Sequence, residues 1–156
     1  MTVLKILFLH GWHSTPGGRK PQYLIEHGHQ VANPALCPDD FEKALAVAQE
    51  SYESQNPDVV IGSSRGGALA MNLKRVTAPL VLMCPAWKNW GDTKTVGGKT
   101  LVLHSRKDEV IPFEHSQELL ANSALAENQL IEVGKEHRLA SPEALDAMLK
   151  ACLSLV

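Results

Sequence analysis

The stretch Pro57–Leu73, PDVVIGSSRGGALAMNL, restricts the folds open to this 156-residue chain more than any other. Asp58-Val59-Val60-Ile61 is a short apolar, β-branched run, the pattern of a buried strand. Gly62-Ser63-Ser64-Arg65-Gly66 follows at once, and then a segment of good helix formers, Ala68-Leu69-Ala70-Met71-Asn72-Leu73. A strand that reverses into a helix over so few residues forces the middle residue into a strained backbone conformation. The positions two before and two after it lie against neighbouring backbone, which accounts for Gly62 and Gly66. Ser64 is left projecting from the top of a sheet at a helix N-terminus, where developing negative charge is stabilised. The G-x-S-x-G pattern alone arises by chance in about 5% of chains this long. A glycine-rich turn can also do no more than pack a helix on a sheet. Its weight depends on whether the rest of the chain supplies a base, an acid and an oxyanion loop in the right order.

The flanking sequence alternates strands with helices. Thr2–Leu9 reads as a buried strand and ends in the loop His10-Gly11-Trp12-His13-Ser14. A short helix over Lys20–His27 is closed by Gly28. Gln30–Leu36 reads as a second strand near an edge, because Pro34 cannot donate to a ladder. Asp39 or Asp40 can cap a helix over Phe41–Ser54, whose apolar face is Phe41, Leu45, Ala48 and Tyr52. After the Ser64 segment come strands at Leu80–Cys84, Thr100–His104 and Leu130–Val133, with a helix near Phe113–Ala124 between the last two. The final helix spans about Pro142–Leu153, with Ser141 at its N-cap and Pro142 at its first position. This order implies an α/β fold: a doubly wound, mostly parallel sheet of about six strands with helices on both faces. Ligands in such sheets bind at the carboxyl ends of the strands near the switch point. His10-Gly11-Trp12, Ser64, Asp108 and His137 each follow a strand, so residues far apart in sequence converge on one crevice.

Each has a chemical reason to be there. A serine hydroxyl is a poor nucleophile until a neighbouring base removes its proton. His137, just after the last strand with Gly134 behind it, is the best placed of the seven histidines. His10 is second and reads as structural, its ring hydrogen-bonding within its own loop, while His27, His29 and His115 read as surface residues. A carboxylate is needed to orient the imidazole. Asp108 is preferred because a short side chain in a tight turn is held more rigidly, and Glu109 next door competes for the role. Oxyanion donors would be the backbone N–H groups of Trp12 and Arg65. The Arg65 side chain either attracts an anionic substrate or, the favoured reading, forms a surface salt bridge. His13, Trp87 and Trp90 are candidates for the substrate pocket, though the two tryptophans could equally pack under their loop. His10-x-x-His13 lacks a third ligand nearby, so no metal is expected.

Composition narrows the function classes. Length predicts one domain over residues 1–156, and the hydrophobic content of 44% is that of an ordinary globular protein. A net charge of −2 with scattered Lys and Arg gives no footprint for nucleic acid or an anionic membrane. Ile6-Leu7-Phe8-Leu9 is too short for a signal-peptide core, and no segment approaches a membrane span. Cys37, Cys84 and Cys152 are odd in number and lack metal-site spacing, which reads as reduced thiols in the cytoplasm.

Taken together, Leu9-His10-Gly11-Trp12, the run Gly62-Ser63-Ser64-Arg65-Gly66-Gly67, Asp108-Glu109-Val110-Ile111-Pro112 and His137 resemble the α/β-hydrolase superfamily. The nearest likeness is to small bacterial serine esterases of the YqiA type. The resemblance implies a catalytic triad of nucleophile Ser64, acid Asp108 and base His137, in the superfamily's chain order. The chain starts at what would be the superfamily's third strand and has no cap insertion, which implies a pared-down sheet with an open site. Arg65 stands where an uncharged residue is commoner. The expected function is cleavage of a small acyl ester or thioester through an acyl-enzyme, with no cofactor, a small-molecule acyl substrate as partner, and neither nucleic acid nor membrane. An amidase or small peptidase with the same triad, or a non-catalytic binding protein retaining the fold, are the alternatives.

Overall fold

A computed structural model describes residues 2–156. Six strands form one sheet: β1 (Lys5–Leu9), β2 (Gln30–Ala32), β3 (Val59–Ser63), β4 (Leu80–Met83), β5 (Thr100–His104) and β6 (Leu130–Glu132). Their spatial order is β2-β1-β3-β4-β5-β6 and every pairing is parallel. Among the described residues four α-helices connect strands, α1 (Arg19–Glu26), α2 (Phe41–Gln55), α3 (Arg65–Asn72) and α4 (Phe113–Ser123), and α5 (Pro142–Leu155) follows the last strand. The doubly wound parallel sheet expected from the sequence is the one observed.

Alternation along the central strands sets the two layers. Ile6, Phe8, Val59, Ile61, Val81, Met83 and Leu103 face one side, where Leu24 of α1 and Leu145, Met148 and Cys152 of α5 cover them. Leu7, Leu9, Val60, Leu82 and Val102 face the other, under Ala44 and Ala48 of α2, Leu69 of α3 and Leu119 of α4. Strands buried on both faces need continuous apolar runs, and β3 is buried at every position. β2 lies at one edge of the sheet, as expected, and ends at Ala32, two residues before Pro34, short of the Leu36 expected from the sequence. Asp40 is the N-cap of α2, its carboxylate accepting from Lys43 N at 3.0 Å. Ser141 caps α5 with Pro142 in its first turn.

The winding reverses beside β1. α1 leads outward to β2, and α2 crosses back to β3 on the other side of β1. That reversal opens a crevice above the carboxyl ends of β1 and β3. No helix among the described residues is long and apolar enough to cross a membrane.

Candidate active site

Ser64 sits at the tightest point of the chain. Its φ of 55° and ψ of −116° lie outside the ordinary regions for an L-residue, a conformation costing on the order of 1–3 kcal/mol. The turn is held from several sides. Ser64 N donates to Met83 O at 2.9 Å, and Ser64 O accepts from Gly67 N and Ala86 N, each at 2.9 Å. A Cβ on Gly62 would fall on the Gly66 carbonyl, and one on Gly66 would fall on the carbonyl of Leu9. Both glycines are therefore demanded by close backbone approach: α3 rests directly on the end of β1.

His137 bridges the serine and the carboxylate. Its Nε2 lies 2.9 Å from Ser64 Oγ and its Nδ1 2.7 Å from Asp108 Oδ2. In the arrangement these contacts favour, Nδ1–H donates to the carboxylate and Nε2 accepts from the hydroxyl. Asp108 Oδ1 accepts from Val110 N and Ile111 N, both at 2.8 Å, so the short turn holds the carboxylate rigidly. Burial alone would raise the Asp108 pKa. The hydrogen bond from His137 and the Ile111 and Val110 amides outweigh it and hold the group below the usual carboxylate value. Glu109, the competing acid, is exposed to solvent.

A fourth residue joins this set that the sequence reading passed over. His104, the last residue of β5, is fully buried. Its Nε2 lies 3.1 Å from Asp108 Oδ2 and 2.9 Å from Ile111 O, and its Nδ1 2.6 Å from Ser116 Oγ. Both Nε2 neighbours are acceptors, so Nε2 carries the proton and Nδ1 accepts from the Ser116 hydroxyl. Burial lowers the His104 pKa, opposed by Ile111 and Asp108, which keeps the ring neutral near pH 7. One signal in the sequence pointed to it: a histidine at a strand end four residues before a candidate acid.

The loop after β1 closes on the serine. A Cβ on Gly11 would lie 3.6 Å from Ser64 Cβ. The Trp12 amide has no acceptor among the described residues, and Arg65, as the first residue of α3, has no intrahelical acceptor for its amide. His10 is structural as expected: its Nδ1 lies 2.9 Å from Gly11 O and its Nε2 accepts from Leu36 N at 3.2 Å. His29, expected at the surface, is instead buried, its Nδ1 accepting from Leu4 N at 3.1 Å.

Several expected roles are not met. Arg65 is neither a surface salt bridge nor open to the crevice: it is 1% exposed and has no carboxylate partner among the described residues. Nη2 donates to Cys37 O at 2.7 Å, and the guanidinium lies 4.9 Å from the Trp90 ring centroid and 5.6 Å from that of Phe41. Planar and weakly hydrated, it stacks where an ammonium would not. Trp90 packs on Phe41 and edge-on against Trp12, and His13 stacks on Trp12. Trp12 Nε1 donates to Pro38 O at 2.8 Å. These rings tie the loop after β1 to the starts of α2 and α3, and so fix the position of the Trp12 amide. Trp87 is 3% exposed and donates to His115 O, packing into the core instead of lining a pocket.

The crevice itself is a cavity of about 380 Å³ that reaches Ser64 and His137. Neither His13, Trp87 nor Trp90 borders it. Trp12, at 52% exposure, and Val110, at 64%, form its apolar rim. Arg19, Lys20 and Arg138 form the polar wall, and the sequence reading had treated Lys20 only as a helix residue. Cys84 lies beneath the site, its Sγ donating to His137 O at 3.1 Å. Its thiol, with Asp108 and His137, makes a cluster whose ligand atoms lie within 4.8 Å of one another. Burial, with Asp108 nearby, pushes that thiol up to about 12, so beside the triad it is a neutral thiol near pH 7.

A serine held at a strained strand-to-helix turn, with an imidazole and a carboxylate in line, defines a class of site on a class of fold. The chain has the α/β-hydrolase fold. An α/β-superfamily hydrolase structure from Xanthomonas campestris pv. campestris superposes with a TM-score of 0.78 at 20% identity, over 99% of this chain and 98% of that one. Mouse alpha/beta hydrolase domain-containing protein 10 gives 0.74 at 14% identity, over 96% and 87%. Est1E from Butyrivibrio proteoclasticus gives 0.69 at 16% identity, over 98% and 86%. At these identities the likeness is one of fold. No protein-family model matches the chain, and no curated protein sequence does.

Proposed function

We propose that the protein is a serine hydrolase that cleaves small acyl esters or thioesters through an acyl-enzyme. The observation that carries this reading is the continuous hydrogen-bond line from Ser64 Oγ through His137 to Asp108. Ser64 Oγ attacks the acyl carbonyl while His137 Nε2 takes its proton, and the buried Asp108 carboxylate stabilises the imidazolium that forms. The carbonyl oxygen, now negative, is met by the Trp12 and Arg65 amides and by the N-terminus of α3. His137 returns the proton to the leaving oxygen or sulfur, which departs and leaves the acyl group on Ser64. Water, deprotonated by His137, then attacks the acyl-enzyme and releases the acid.

The segment between β4 and β5, residues 84–99, contains no helix or strand, so no helical lid stands between those strands. The apolar rim of Trp12 and Val110 supports short acyl groups, since little apolar surface is available for a long chain. Turnover of 4-nitrophenyl esters of increasing acyl length tests the reading. Acetate to butyrate should be cleaved best, with no rate jump above the micellar threshold, and Ser64→Ala should lower turnover by about 10⁴-fold or more. Near-native activity in Ser64→Ala, or loss in Ser63→Ala alone, would move the nucleophile elsewhere.

A further inference from the structure

The cavity beside Ser64 carries positive charge without a counter-charge. Arg19, Lys20 and Arg138 border it and no carboxylate does, although the chain as a whole has a net charge of −2. Arg19 is partly answered by Glu26, 3.1 Å away through exposed side chains. Lys20 and Arg138 form no ion pair among the described residues. Lys20 Nζ donates to the main-chain carbonyl of Arg138, so the Lys20 side chain, from α1, reaches the loop that carries His137 and Arg138, and both cationic residues border the same cavity. Burial is the main influence lowering the Lys20 pKa, with Arg138 acting in the same direction and Glu136 opposing them. An ammonium taken partly out of water with no carboxylate partner is costly unless an anion joins it. The first turn of α1, which borders the same space, adds partial charge of the same sign.

We propose that this pocket selects esters or thioesters bearing a second, anionic group, a carboxylate or a phosphate, which Lys20 and Arg138 hold while the acyl carbonyl lies against Ser64. The proposal rests on the serine-hydrolase reading and deepens it by naming the substrate class. A cavity of about 380 Å³ accommodates a short ester together with such a group. The anionic group takes no part in bond making; hydrolysis still consumes one water and yields one acid and one alcohol or thiol.

Two matched substrate pairs test it: mono-4-nitrophenyl adipate against its methyl-capped neutral counterpart, and 4-acetoxybenzoate against its methyl ester. Each kcat/KM is divided by the ester's own rate of alkaline hydrolysis, so that intrinsic reactivity cancels. At least one charged member should be favoured by about tenfold or more at low ionic strength, with the preference shrinking as salt rises. Lys20→Met and Arg138→Leu should each lower the charged-to-neutral ratio by about tenfold. Arg75→Gln, at an exposed residue paired with Glu53, should leave that ratio intact. Equal normalised rates in both pairs, or a ratio that neither pocket variant moves, overturn the proposal. Calorimetric titration with succinate and with inorganic phosphate separates the two anion chemistries and does not depend on turnover. Anions that bind wild type but not Lys20→Met, in a protein that cleaves no ester, would leave the anion site standing and sink the hydrolase reading. Neutral esters cleaved at Ser64 without charge preference or anion binding would do the reverse.

Discussion

Replacing Asp108 with Asn removes a charge while keeping the side chain's shape, and the surroundings of that side chain determine the consequence. Four donors converge on the fully buried carboxylate: the Val110 and Ile111 amides on Oδ1, and His137 Nδ1 and His104 Nε2 on Oδ2. An Asn amide offers one oxygen and one NH₂, so whichever way it turns, the NH₂ faces two N–H groups. If the oxygen stays with the turn amides, the NH₂ meets His137, which then moves its proton to Nε2. That is the wrong tautomer for accepting from Ser64 Oγ. Asp108 does not border the cavity, so the loss should fall on kcat, by about 10²–10⁴-fold, with KM little changed. The unpaired donors should also cost about 1–3 kcal/mol. For a chain of this size that corresponds to a fall in Tm of roughly 2–12 °C. Glu109 is exposed and forms no ion pair among the described residues, so Glu109→Gln should stay within about threefold of wild type. Steady-state kinetics of both variants on one short 4-nitrophenyl ester, alongside thermal denaturation, decides the matter. A near-native kcat in Asp108→Asn, or the larger loss in Glu109→Gln, would refute the reasoning.

Two other outcomes follow from the same geometry. The folded-state pKa of His104 is lowered by burial, so between that value and about 6.5 the unfolded chain binds more protons and stability falls as pH drops. Tm should therefore decline from pH 7 towards pH 5, and His104→Gln should flatten part of the slope; because the lowered pKa of His29 acts with the same sign, the difference between the two proteins is the readout, and identical slopes would contradict a neutral buried His104. Gly66→Ala should cost about 3 kcal/mol or more in denaturant unfolding, because its Cβ would meet the Leu9 and His10 carbonyls, whereas Gly97→Ala, with open space around it, should be near neutral.

Sequence pattern carried the strand–helix alternation, because buried parallel strands such as β3 are apolar without interruption and the caps at Asp40 and Ser141 have clear chemistry. It also carried Ser64, Asp108 and His137 to the same end of the sheet, since each follows a strand and parallel strands share one carboxyl end. Side-chain direction was not legible. Arg65 reads as a surface charge by type, yet the turn aims it inward between Trp90 and Phe41, and only the packed positions of three loops reveal that. Trp87 and Trp90 sit three residues apart in one loop and diverge, one into the core and one onto Phe41. His104 was hidden for a related reason: a strand-end histidine gains meaning only when the following turn folds Asp108 back over it. The cationic wall depends on α1 and the loop after β6 meeting, a contact between residues more than a hundred positions apart.

Everything in the proposed chemistry depends on Ser64 being the residue activated for attack. Intact-mass measurement after treatment with a fluorophosphonate, followed by peptide mapping, tests it most directly. A single covalent adduct, carried by Ser64, should form readily in wild type, form much more slowly in Asp108→Asn and be absent in Ser64→Ala. An adduct on Ser63 or another residue, or a wild-type protein that remains unmodified, would contradict it.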